Sequence, residues 1–224
     1  MNRIALIVTL FLLTGRTAFA VSCGVPAQET LNSIVHVSTA SGVTASGVVV
    51  DQGKVLTAAH AVGDEQAMLV RTADGDVRLA IVIAVDVRND LALLSTDTSG
   101  LLPVRISKHE LKRRESVWAV GFPAQMGQRS TRGRFQRGRE DKLHTTATIK
   151  SGNSGGGLLR CHEGRHELAG VVHGFVAKYG ASGLVNTGRS VAVPIRQVVD
   201  FLDSADAQST KVLPAAGLPG ARDS

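Results

Sequence analysis

Nine short β-branched segments, each closed off by Gly, Asp, Asn or Pro, limit what this chain can fold into. Five come early: "SIVHVST" (Ser33 to Thr39), "SGVVV" (Ser46 to Val50), "AMLVRT" (Ala67 to Thr72), "VRLAIVIAVD" (Val77 to Asp86) and "LALLST" (Leu91 to Thr96). Four come late: "SVWAVGF" (Ser116 to Phe122), "LHTTATI" (Leu143 to Ile149), "ELAGVVHGFV" (Glu167 to Val176) and "RSVAVPI" (Arg189 to Ile195). Val, Ile and Thr fit a pleated, half-buried surface. Many such strands at close spacing predict an all-β sandwich or barrel. The polar stretch from Asp97 to Glu115 divides them into two groups. One segment departs from the pattern: "IRQVVDFL" (Ile195 to Leu202) follows Pro194 with helical spacing and predicts a C-terminal helix.

The ends read differently. Arg3, the apolar run Ile4 to Leu13, and Ala18-Phe19-Ala20 have the layout of a secretory signal peptide cleaved after Ala20. The run is too short to span a bilayer, so no transmembrane span is expected in the mature chain. A lipid-anchored reading through Cys23 is weaker, because Ala20 stands where such signals carry Leu. Residues 204–224 are rich in Ala, Gly, Pro and Ser without a period and read as a disordered tail. Export makes one disulfide between Cys23 and Cys161 the natural pairing, with two independent thiols as the other possibility. The location expected is the periplasm or the extracellular space.

Charge is concentrated. The formal net charge is +6, and Lys108 to Lys150 holds eleven Lys/Arg against four Asp/Glu. Export, and the lack of aromatics among these arginines, argue for a solvated loop and against a nucleic-acid partner.

"SGNSGGGLL" (Ser151 to Leu159) packs glycines around Ser154 just before an apolar run. Gly is entropically costly and belongs where a backbone must bend sharply or let a group approach. A floppy turn would do this, and so would a loop that aims N–H groups at a substrate. A serine nucleophile needs a base beside it and a group that orients the base. His60, in "VLTAAHAV", ends an apolar strand in an Ala-rich turn. Asp90 stands immediately before the apolar "LALL" and needs a partner there, because an unpaired buried carboxylate is expensive.

His60 in "TAAH", Asp90 in "DLALL" and Ser154 in "GNSGG" follow the order and spacing of the chymotrypsin-like serine proteases, which this chain resembles from about Ser33 to Leu202. "VDVRNDLALL" is similar to the D-P-x-x-D-[LI]-A-L segment of the HtrA/Deg branch. "VWAVGFPAQMGQRSTRG" and "SVAVPIRQVVDFL" resemble that branch's later strands and closing helix. The resemblance implies two Greek-key six-stranded β-barrels packed together, with a short C-terminal helix. The expected organisation is a signal peptide (1–20), an N-terminal segment (21–32), the first barrel (33–105), a linker (106–115), the second barrel with the helix (116–203) and the tail (204–224). It also implies roles: Ser154 as nucleophile, His60 as general base, Asp90 as its orienting partner, and Gly152, Asn153 and Ser154 as the oxyanion loop. Asp86 takes the place of the first Asp in the family's segment and reads as structural.

Departures from the pattern matter too. Trypsin-type enzymes carry Asp directly before the serine, to pair with a newly cleaved N-terminus. Asn153 has no charge to offer, so activation of that kind is not expected. Twenty weakly patterned C-terminal residues supply no PDZ domain. The resemblance places the specificity pocket at Thr148, His173, Gly174 and Phe175. Thr148 replaces the Asp that selects Lys or Arg, and the apolar wall predicts aliphatic side chains at the cleaved bond. His173 raises a rival, glutamyl-specific reading, which turns on strand register. The expected partners are polypeptides, unfolded ones foremost. No cofactor or metal is expected; "CHEGRH" (Cys161 to His166) reads as a hairpin tip in preference to a zinc site. A catalytically silent or gated scaffold of the same fold is the alternative.

Overall fold

The computed structural model describes residues 23–124, 126–139, 141–180 and 183–212. The signal-peptide reading falls on residues outside this set, as does the tail beyond Val212; the lipid-anchored reading does not hold, because Cys23 is described and its sulfur is bonded to Cys161.

The first barrel contains β1 (Ile34–Ser38), β2 (Thr44–Asp51), β3 (Lys54–Thr57), β4 (Ala67–Arg71), β5 (Val77–Asp86) and β6 (Leu91–Ser95). It closes in the order β1-β2-β3-β6-β5-β4. The second contains β7 (Ser116–Gly121), β8 (Arg129–Arg139), β9 (Lys142–Thr145), β10 (Gly157–His162), β11 (Arg165–Gly180) and β12 (Gly183–Pro194). It closes as β10-β11-β12-β9-β8-β7. In each barrel the fourth strand lies beside the first and the third does not neighbour the fourth, which is a Greek key. Pairing is antiparallel throughout both barrels. The double-barrel expectation holds.

Strand alternation sorts the apolar residues into three cores. Val35, Val37, Val55, Met68 and Leu94 fill the first barrel, and Val117, Phe135, Leu158 and Val172 fill the second. The third core is the seam between them: Ile34, Leu56 and Leu93 meet Val120, Phe122, Leu159 and Leu168. The seam is what holds the two barrels in register with one another, and the cleft described below opens along it.

Among what went unread in the sequence are a helix, a strand and the far end of the C-terminal helix. The segment before β1 forms a short helix, α1 (Gln28–Asn32). β8 was read as part of a solvated basic loop. Its arginines face outward, its backbone pairs with both β7 and β9, and Phe135 is its one side chain in the core. Gly133 within it lies so close to β9's continuation that an added Cβ would stand 2.1 Å from the Ala147 nitrogen. The C-terminal helix, α3 (Ile195–Val212), runs well past residue 203, so residues 204–212 are helix and not tail. Val198, Phe201 and Ala205 bury one helical face on the seam, and Asp206 pairs with Lys54 at 2.7 Å. These contacts outweigh a composition that looked unstructured.

Cys23 and Cys161 form a disulfide across 138 residues, with Cα atoms 5.6 Å apart. It fastens the segment before the first barrel to β10 of the second. Cys161→Ser is expected to lower stability by about 2–5 kcal/mol and the melting temperature by roughly 5–15 °C, because a long loop is released in the unfolded chain. Differential scanning calorimetry, with and without reductant, measures this; identical melting points would mean the bridge is not formed in solution.

Candidate active site

His60 stands in α2 (Ala59–Val62), one helical turn directly after β3. Ala58, Ala59, Ala61 and Val62 are buried and pin that turn to the first barrel, while the His60 ring faces out. Asp90 comes from a tight turn between β5 and β6. Asp86 shapes that turn by accepting from the Asn89 backbone N–H at 3.0 Å and its side-chain amide at 2.6 Å. Asp90 itself adopts a left-handed φ of 62°, which Asp tolerates better than most residues. The wholly buried Leu91–Leu94 that follows fixes its position.

The two side chains meet. Asp90 is buried, and its two oxygens lie 3.0 and 2.9 Å from His60 Nδ1. The His60 backbone N–H also donates to Asp90 Oδ1 at 2.8 Å. This fixes ring position as well as tautomer, since a carboxylate at Nδ1 leaves Nε2 as the basic atom. Accepting the imidazole N–H, Asp90 raises the His60 pKa above its ordinary value, against a smaller opposing effect of burial.

A third group joins them. His173 Nδ1 hydrogen-bonds Asp90 Oδ2. The pairing of β11 with β12 slips between Val172 and Gly174, so His173 sits in a bulge. Bulges beside active sites re-aim side chains. This one turns the His173 ring to Asp90 and its carbonyl to Ser154, whose hydroxyl donates to it at 3.1 Å. Burial alone would push the Asp90 carboxyl up. The hydrogen bonds from His173 and from the side chain and backbone of His60 outweigh that and hold it well below the usual carboxylate range. Behind the turn, Lys142 Nζ donates to the Asn89 carbonyl at 3.0 Å. Sequence reasoning assigned Lys142 only to the basic run.

The Ser154 loop is built from close approaches. Gly152 and Gly155 have φ of 94° and 82°. A Cβ on Gly152 would stand 2.6 Å from the Phe122 carbonyl oxygen, and one on Gly155 would stand 2.2 Å from that of Ser46. Asn153 is buried, and its side-chain amide donates to the Lys150 carbonyl at 3.1 Å, closing the turn. Ser46, on β2 of the other barrel, was read only as part of a strand. Its hydroxyl donates to the Gly152 carbonyl at 2.7 Å and accepts from the Phe122 N–H at 2.8 Å, while its backbone N–H donates to the Ser154 carbonyl at 2.8 Å. The first barrel thereby holds the loop of the second from beneath. Gly121 makes room for this, since a Cβ there would lie 2.7 Å from both Ser46 Oγ and Asn153 Oδ1. Ser46→Ala leaves the Gly152 carbonyl and Phe122 N–H unpartnered, and is expected to lower stability by about 1–3 kcal/mol. It should also lower kcat about tenfold to a hundredfold with little change in KM, because the loop donors lose their aim. Steady-state kinetics and urea denaturation measure both.

His60, Ser154 and Gly152 line one cleft of about 480 Å³ with Val43, Ala61, Lys150, His173, Gly174 and Phe175. Of the four residues expected at the specificity pocket, His173, Gly174 and Phe175 are in that lining; Thr148 is exposed and lies outside it. His60 Nδ1, an Asp90 oxygen and a His173 ring nitrogen lie within 4.8 Å of one another, close enough for a divalent cation. Both imidazoles instead hydrogen-bond the carboxylate directly. At "CHEGRH", Cys161 is in the disulfide and His166 is buried. The arrangement as a whole sets a hydroxyl, an oriented imidazole, a buried carboxylate and a preformed loop around one cleft. Those are the parts acyl transfer requires.

Residues 45–171 match the family described as trypsin-like peptidase domain. The serine protease HTRA1 of Xenopus laevis is 33% identical over 191 residues, 78% of this chain and 38% of its own length. A probable periplasmic serine endoprotease DegP-like of Ectopseudomonas mendocina (strain ymp) is 31% identical over 178 residues, 74% of this chain and 36% of its own. Serine endoprotease DegS of Salmonella typhimurium (strain 14028s / SGSC 2262) is 33% identical over 158 residues, 63% and 44% respectively. The crystal structure of the serine endoprotease from Yersinia pestis superposes with a TM-score of 0.72 at 25% identity, covering 81% of this chain and 65% of that one. The chain thus spans less than half the length of these curated relatives.

Proposed function

Because this chain belongs to the trypsin-like peptidases, we propose that it is a serine endopeptidase of HtrA/Deg type that cleaves polypeptides outside the cytoplasm. The observation that carries the reading is the buried Asp90 bonded to His60 Nδ1, at the edge of a cleft that also holds Ser154. In this reading Ser154 Oγ attacks the scissile carbonyl, and His60 Nε2 takes its proton and returns it to the leaving amine. Asp90 holds the tautomer and stabilises the imidazolium. The backbone N–H groups of Gly152 and Ser154 receive the oxyanion, with Asn153 holding the turn between them. The Ser154 hydroxyl points at the His173 carbonyl, so the first step is its rotation toward His60.

The disulfide and the periplasmic naming of a relative support a location outside the cytoplasm. Among the described residues that line the cleft there is no carboxylate, and Lys150 adds a positive charge. That disfavours Lys and Arg in the pocket. Val43, Ala61 and Phe175 favour aliphatic side chains. Lys150 is also the one feature that favours the glutamyl-specific reading; His173 helps less, since its Nδ1 is engaged by Asp90.

The test is incubation with reduced casein, sequencing of the products, and labelling with a fluorophosphonate followed by mass spectrometry. Cuts after Val, Ala, Leu or Ile together with a single adduct on Ser154 support the reading. Cuts after Glu move the specificity to the second reading. Neither cleavage nor adduct overturns it in favour of a scaffold.

A further inference from the structure

A serine nucleophile needs a base and one group to orient it; here a third donor stands beside those two. His60 Nδ1 and His173 Nδ1 both hydrogen-bond the same oxygen of Asp90, Oδ2. Donor atoms of the three side chains lie within 4.8 Å of one another. They arrive from separate places: the turn after β3, the turn before β6 and the bulge in β11. The two imidazole planes stand at 87° with centroids 5.7 Å apart, so the rings do not stack and both turn Nδ1 to the carboxylate. Two imidazole nitrogens and one carboxylate oxygen are a ligand set of zinc sites that keep a fourth position open.

We propose that His60, Asp90 and His173 form a binding site for a zinc-like divalent cation, and that its occupation silences the nucleophile. The silencing rests on the peptidase reading; the binding does not. The hydrogen-bonded arrangement described above differs from a metal-bound one in where two protons sit. Bonded to Asp90, His60 carries its proton on Nδ1 and its lone pair on Nε2. A cation at Nδ1 takes the lone pair there, so the neutral ring moves its proton to Nε2. Ser154 then has no base. His173 makes the same change of tautomer, and no proton need leave the protein. Distances allow the exchange. Bonds of about 2.0–2.2 Å in a tetrahedral shell set neighbouring donors about 3.3 Å apart. His60 Nδ1 and Asp90 Oδ2 stand at 2.9 Å, so they part by a few tenths of an ångström. Asp90 is the fixed member, while the His60 and His173 side chains are 49% and 40% exposed and line the cleft, which is the way in. Lys150 in the cleft and Lys142 behind the Asp90 turn oppose a dication, so affinity comes from the donor atoms and not from a long-range field. That selects zinc, copper or nickel over calcium and magnesium, which take oxygen ligands.

Two readouts test this. Cobalt(II) added to the Ser154→Ala chain should give the visible absorption bands of a four-coordinate ion, saturating at one ion per chain, and zinc should abolish them. Adding His173→Gln, or separately His60→Gln, should weaken cobalt binding at least about a hundredfold with the circular dichroism spectrum unchanged, since loss of a ligand's mere hydrogen-bond partner already costs roughly 10–100-fold. In the parent, zinc should inhibit casein cleavage in the micromolar range and a chelator should restore it, whereas calcium and magnesium should have no effect. His173→Gln should raise the half-inhibiting zinc concentration by the same factor. Bands that persist in both glutamine variants would place the ion elsewhere, such as at the His109 and His162 rings 4.9 Å apart, and overturn the proposal. Absent bands overturn it too, as does an active parent that zinc leaves unaffected, or inhibition indifferent to His173→Gln. A parent with no peptidase activity overturns the peptidase reading instead, and the cobalt bands still decide the site.

Discussion

Ser154→Ala is expected to reduce casein cleavage about a millionfold, the loss typical when a serine nucleophile is removed. The effect should fall on kcat, since the hydroxyl's one hydrogen bond in the free protein is to the His173 carbonyl and its removal leaves the cleft lining intact. For the same reason the variant should fold as the parent does and bind substrate with similar affinity. The residual rate, still about 10³–10⁴ above the uncatalysed reaction, would report what the loop donors and binding achieve without a nucleophile. Parallel assays of parent and variant from one purification decide the matter. Equal rates would identify a contaminating protease and remove Ser154 from the reaction.

Asp90→Asn should cost about 10⁴ in kcat while preserving shape. The substituted amide would present an N–H to His60 Nδ1, forcing the proton onto Nε2, where a base must have a lone pair. Here the substitution has a second consequence. Asp90 accepts from His60 Nδ1, the His60 backbone and His173 Nδ1, and an amide has one oxygen where the carboxylate has two. At least one imidazole loses its acceptor, so stability should fall as well. The pH dependence follows from the signs. In the proposed mechanism neutral His60 is the active form, and its pKa is raised by Asp90, so the acid limb of kcat/KM in the parent should lie above the ordinary histidine value of about 6.5. In Asp90→Asn that limb should move down, because the group that raised it is gone. The stability contributed by the Asp90 carboxylate is present above the ordinary Asp pKa. It is lost only as pH falls through the depressed folded value, so parent and variant should converge in strong acid. An acid limb that stays in place would mean Asp90 does not act on His60.

The all-β class was legible because the strands carry β-branched residues and end at turn residues, a local signal that needs no tertiary information, whereas the double barrel was legible only through the family resemblance. β8 was not legible for the converse reason. It is held by backbone pairing on both sides, and pairing leaves no trace in a row of arginines. The end of α3 was hidden because the partners that extend it, Lys54 and the seam, are distant in sequence. The site divided the same way. His60, Asp90 and Ser154 could be read from motifs, since each sits where local sequence makes an unusual demand. Ser46 could not, because a serine in a strand is ordinary until the Gly152 carbonyl is placed above it. For His173 the residue was noticed and its direction was not, because a bulge decides which face it meets.

The grip of Ser46 on the Ser154 loop also bears on when this protein comes to life. The loop belongs to one barrel and its support to the other, so neither half owns a finished site. A newly made chain with one barrel formed and the other still unfolded has nothing with which to cut, although unfolded polypeptide, its own included, surrounds it. Under the proposed function, assembly order then acts as a safety catch: competence to cut arrives only with the docking of the two halves.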